Sequence, residues 1–181
     1  ARLDTLYKYY TFKKNGIDNL QTMLDMPASQ LNANNYYQLI GLAAFTWPFT
    51  TNNSALTEFK KEGYLNNSQN DSLRILLSGY ESLIEDLRNT IALETEKSFH
   101  SLIAEGRNMV DIKLAQQALR LSPLILPENT VVKQVSKEAI NRYKFELVLI
   151  RAIDESNLYD ITRAQKVIVQ ILRNMHQNFN E

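Results

Sequence analysis

Apolar residues recur every three or four positions along most of this chain, the spacing that lines one face of an α-helix. Leu3, Leu6, Tyr10, Ile17, Leu20 and Leu24 mark a first helix over residues 3–24, stopped by Pro27, with Gly16 expected to loosen its middle. Tyr36, Leu39, Ile40, Ala43 and Ala44 predict a second over residues 34–45. It must end before Pro48, because the residue ahead of proline disfavours helical geometry, so Trp47 falls in a connection. Asn53 or Ser54 can cap a further helix of about ten residues that stops at Gly63.

The strongest stripe follows the capping cluster Asn70-Asp71-Ser72: Leu73, Leu76, Leu77, Tyr80, Leu83, Ile84, Leu87 and Ile91 share one face. Phe99, Leu102 and Ile103 extend it towards Gly106, which predicts a helix of about 35 residues, ~50 Å long. A shorter helix is expected over residues 111–121. Pro123 and Pro127 make the segment between them an irregular link. Over residues 129–178 a second long stripe carries Ile140, Tyr143, Leu147, Ile150 and Ile153, then Leu158, Ile161, Ala164, Ile168, Ile171, Leu172 and Met175. Poor helix formers cluster at residues 154–157, a place where the helix can bend, and although periodicity alone does not exclude a short strand over residues 145–153, its length and its Lys/Glu flanks favour helix. Helices joined by short links pack antiparallel, so the fold class is all-α: one domain over residues 1–181, an irregular antiparallel helical bundle of about four long helices plus short connecting ones.

Composition narrows the function. Twenty basic residues balance twenty acidic ones, so no field of one sign draws in nucleic acid, and no nucleic-acid partner is expected. The absence of Cys removes disulfides, Cys-ligated metal and thiol nucleophiles. No apolar run is long enough to span a bilayer. The chain opens at Ala1-Arg2-Leu3 without an initiator Met, so an upstream segment is expected.

The stretch over residues 49–65, with Phe49, the capped Ser54-Ala55, Phe59 and Gly63, followed by Asn70-Asp71-Ser72-Leu73-Arg74, resembles a signature of an uncharacterised family of bacterial membrane-anchored proteins. The likeness covers about 25 residues, and its pattern also reads as two N-caps, one Gly terminus and the apolar residues Leu56, Phe59 and Leu65 packing a helical corner. It implies an extracytoplasmic, periplasmic helical domain anchored by an upstream transmembrane helix, with membrane contact only through that outside segment. The family carries no assigned activity, so no catalytic, cofactor or metal residue is carried over.

The chemistry-bearing residues are sparse. Glu96 and His100 lie one turn apart and His176 stands far away, with no Glu three residues before either histidine as di-iron bundles require. No Ser sits in a nucleophile elbow, and there is no Gly-rich phosphate loop. The carboxylates Glu81, Glu85, Asp86, Asp154, Glu155 and Asp160 read as solvated helix faces. Tyr36, Tyr37, Trp47, Phe49 and Tyr64 gather between the second and the long helix, either packing the short helices down or forming an interaction surface. Tyr7, Tyr9 and Tyr10 circle the first helix, so at least one must face outwards.

The expected function is therefore a non-enzymatic extracytoplasmic interaction or sensory module, without cofactor, for an unknown protein or small-molecule partner. Two other readings stand beside it: a metal protein or enzyme built on His100, and a structural homo-oligomer paired through the stripe from Leu73 to Ile103.

Overall fold

The computed structural model describes residues 3–50, 57–58, 61, 71–110, 126–127 and 130–179, and among them every regular element is a helix. Helix α1 spans Leu3–Met23, followed by a 3-10 turn at Ala28–Gln30; α2 spans Ala33–Ala44 and α3 spans Asp71–Lys97. Helix α3 runs on through a π-helical turn, Ser98–Leu102, into a last turn at Ile103–Gly106. Helix α4, Lys137–Phe179, has 43 residues and is about 65 Å long.

The stripes decide what packs on what. Leu73 and Leu77 of α3 meet Ile171 of α4 near one end, and Arg142 of α4 pairs with Glu105 near the other, so these helices run antiparallel. Helix α1 is antiparallel to α4 as well: Asp4 accepts from Gln165 at 2.7 Å and Asp18 from Arg151 at 2.5 Å. Helix α2 returns along α1, with the Tyr9 hydroxyl donating to the Phe45 carbonyl at 2.6 Å. The result is an up-down-up-down bundle. Among the described residues, α3 and α4 continue past the start of α1 packed on each other through Leu73, Leu77 and Ile171. The Leu73–Ile91 stripe thus lies against α4 of its own chain, and pairing between chains would need another face.

Several expectations change. Helix α4 is continuous through residues 154–157 without a bend, because Asp154 and Asn157 point into the bundle and are held there, and residues 145–153 are helical as their length and flanks favour. It starts at Lys137, and residues 130–136 are irregular. Gly16 does not loosen α1; it lets α2 approach, since a Cβ there would stand 2.5 Å from Leu42 Cδ2. The π-turn also has a packing logic. Glu94, Ser98, Leu102 and Gly106 are all buried at intervals of four residues, a spacing that drifts about 40° per step on an α-helix and that a wider turn corrects. The expected helix over residues 111–121 lies outside the described residues; of the helix expected between Asn53 and Gly63, Thr57, Glu58 and Lys61 are described, and they are helical.

Candidate functional site: a buried charged cluster and an end cavity

Three helices each place one charged residue on the stripe that faces the core. Lys13 follows Leu6, Tyr9 and Tyr10 on α1; Glu94 follows Leu87 and Ile91 on α3; Asp154 follows Leu147 and Ile150 on α4. All three are fully buried, as is Asn157 one turn beyond Asp154. A charge in such surroundings is tolerated only when it is paired and hydrogen-bonded.

Glu94 is the hub. Its Oε1 takes the Lys13 ammonium and the Thr46 hydroxyl (3.3 Å), and its Oε2 accepts from the Tyr10 hydroxyl at 2.8 Å and the Asn157 amide at 3.1 Å. Asp154 is less well served. Its Oδ1 stands 3.6 Å from Lys13 Nζ, and neither carboxylate oxygen receives a hydrogen bond. Asn157 Oδ1 also lacks a donor. Burial pushes the Asp154 carboxyl up to about 8; the Lys13 charge opposes that rise and the Glu94 charge adds to it. A neutral Asp154 brings an O–H donor into a cluster otherwise short of one, and it leaves Lys13 and Glu94 as a balanced pair. The hydroxyls of Tyr10 and Tyr9 are driven well above the usual tyrosine range, first by burial and then by the Glu94 charge. The cluster can therefore lock the register of α1, α3 and α4 and hold one exchangeable proton.

A second feature lies at the end of the bundle where α1 turns into α2. A half-open cavity of about 170 Å³ sits there, walled by Leu24, Leu31, Met109, Val132 and Ile140, with Tyr36 at its side. Its outer strap is the irregular segment 130–136, which follows Leu126, whose N–H donates to Asn34 Oδ1 at 2.9 Å. Lys133 and Gln134 stand at the mouth.

The aromatic group picked out from sequence is divided. Tyr36 and Tyr37 are core residues, each 1% exposed and packed edge to face, so they cannot offer a surface. Trp47 and Phe49 are half-buried against the Tyr9 end of the bundle, with the Trp47 ring 5.4 Å from that of Tyr9. Tyr64 lies outside the described residues. Of the three early tyrosines, Tyr7 is the outward one. Glu96 and His100 are exposed, and His176 lies in the last turn of α4 at the far end of the molecule. Among the described residues no three acidic or histidine side chains converge on a metal-sized site.

Sequence reading passed over Lys13, Glu94 and Asn157, and it placed Asp154 on a solvated helix face, whereas Asp154 is fully buried because it turns towards Lys13. Their signal was present as polar residues occupying core positions of three apolar stripes, but each is unremarkable on its own helix. No described helix is long and apolar enough to cross a membrane. No family model, curated protein or solved structure matches the chain.

Proposed function

We propose that this chain is a non-enzymatic sensory or interaction module, the extracytoplasmic helical part of a membrane-anchored bacterial protein. The observation that carries the non-enzymatic part is the sealing of the charged cluster. Lys13, Glu94 and Asp154 are fully buried and directed at one another, where no substrate reaches them, while the described cavity open to solvent is walled by apolar side chains. A closed polar core beside an open apolar recess suits binding better than turnover. The outward face of α4 supports an interaction role too, since Phe145, Val148 and Tyr159 stand exposed on one side of it. The membrane part rests on the resemblance of residues 49–65 and 70–74 alone.

The test is a set of melting curves titrated with metabolites grouped by class, each followed by analysis of the recovered compound. A saturable rise in Tm with the compound unchanged supports the module. A panel in which nothing shifts the transition, or in which a compound returns transformed, sinks it. Membrane recovery of the product of the complete open reading frame checks the anchor separately.

A further inference from the structure

We propose that the cavity at the α1–α2 end binds a small carboxylic acid with an apolar body of about six carbons; this names a ligand class for the sensory reading and rests on it. Three observations meet there. The volume of about 170 Å³ is close to that of an engineered ~150 Å³ apolar cavity that accepts benzene, so the space matches a short alkyl chain or a single ring. The walls are compliant, because Met26 and Met109 bring unbranched thioether side chains that adjust to irregular ligands.

The mouth supplies the polarity. Lys133 is the single charged residue among those lining the cavity, it is exposed, and among the described residues it has no carboxylate partner. Asp25, between the lining residues Leu24 and Met26, is held by Lys144 at 2.6 Å, and Glu138, five residues after Lys133, is held by Arg142 at 2.9 Å. A carboxylate at the Lys133 ammonium with its chain directed inwards past Leu31 towards Met109 uses every feature of the recess. A neutral alcohol would forgo the charge, and an amine would meet Lys133 with like charge.

The four methionines give a built-in reporter, since Met26 and Met109 line the cavity while Met175 packs against the distant cluster of Leu73, Leu77 and Ile171. Protein carrying ¹³C-methyl methionine is titrated with hexanoate, hexanol and hexylamine. Hexanoate is expected to shift the Met26 and Met109 signals saturably and leave Met175 in place, with hexanol about threefold to fivefold weaker and hexylamine weaker still. Lys133→Ala should bring hexanoate down to the hexanol level. Ala28→Phe, which fills the cavity from the 3-10 turn, should abolish both responses while the circular dichroism spectrum stays helical. The proposal is overturned if hexanoate leaves Met26 and Met109 unmoved, or if its binding is unchanged in both variants. A different compound class that raises Tm without touching these two methionines overturns this ligand and this cavity but leaves the sensory reading standing.

Discussion

Glu94 accepts from four side chains on three other segments of the chain, so its neighbours and not its own helix set the value of each contact. Removing one charge from such a cluster leaves the others buried without compensation. Lys13→Met is therefore expected to cost about 3–5 kcal/mol, because the Glu94 carboxylate is then left in an apolar core without its counter-charge. Adding Glu94→Gln and Asp154→Asn to that variant removes the remaining charges while keeping their shapes, and should restore most of the lost stability. Urea denaturation of the single and triple variants checks this. If the three changes simply add, the residues do not act as one unit.

Two glycines separate packing from propensity at the scale of the helix. A Cβ on Gly79 meets nothing within 4 Å, so Gly79→Ala should stabilise α3 by about 0.5–1 kcal/mol through the better helix former. At Gly16 the Cβ would run into Leu42, itself buried where α2 crosses α1, and Gly16→Leu should destabilise by about 1–3 kcal/mol or more. Thermal melts of the two variants should move in opposite directions. The elements themselves were legible in the sequence, because long helices repeat their apolar spacing often enough to fix extent and facing. Residues 154–157 were misread as a bend for a physical reason. Asp and Asn weaken an isolated helix, and a single stripe cannot reveal that Lys13 and Glu94 wait across the core to hold them. The register was nonetheless on view: Leu147, Ile150, Asp154, Asn157, Ile161 and Ala164 keep one helical face, and asking why polar residues continue an apolar stripe would have found the cluster. The cavity was beyond reach, since it depends on the irregular segment 130–136 lying against the turn between α1 and α2, which periodicity does not describe.

For the molecule as a whole, the cluster makes stability depend on pH in a direction unusual for an aspartate. In the unfolded chain Asp154 releases its proton near the ordinary aspartate value of 3.8, whereas burial in the folded bundle holds the proton up to about 8. Between those values the folded state binds one more proton than the unfolded state. Stability contributed by this group is therefore complete below about 3.8 and falls as pH rises through the window, by at most about 1.4 kcal/mol per pH unit. The groups that face Asp154 are Lys13 from α1 and Glu94 from α3, with Tyr10 and Thr46 completing the shell around Glu94. Ordinary exposed carboxylates take up protons below about pH 5, which makes pH 5.5–8 the informative range. Asp154→Asn keeps the shape of the neutral side chain and cannot ionise. Its stability should already exceed that of the parent at pH 5.5, and the gap should widen steadily towards pH 8, as read from denaturation midpoints at half-unit steps. A difference between the two proteins that stays constant across that range would mean that Asp154 is ionised throughout, so that Lys13 serves both carboxylates and the bundle core carries a net negative charge.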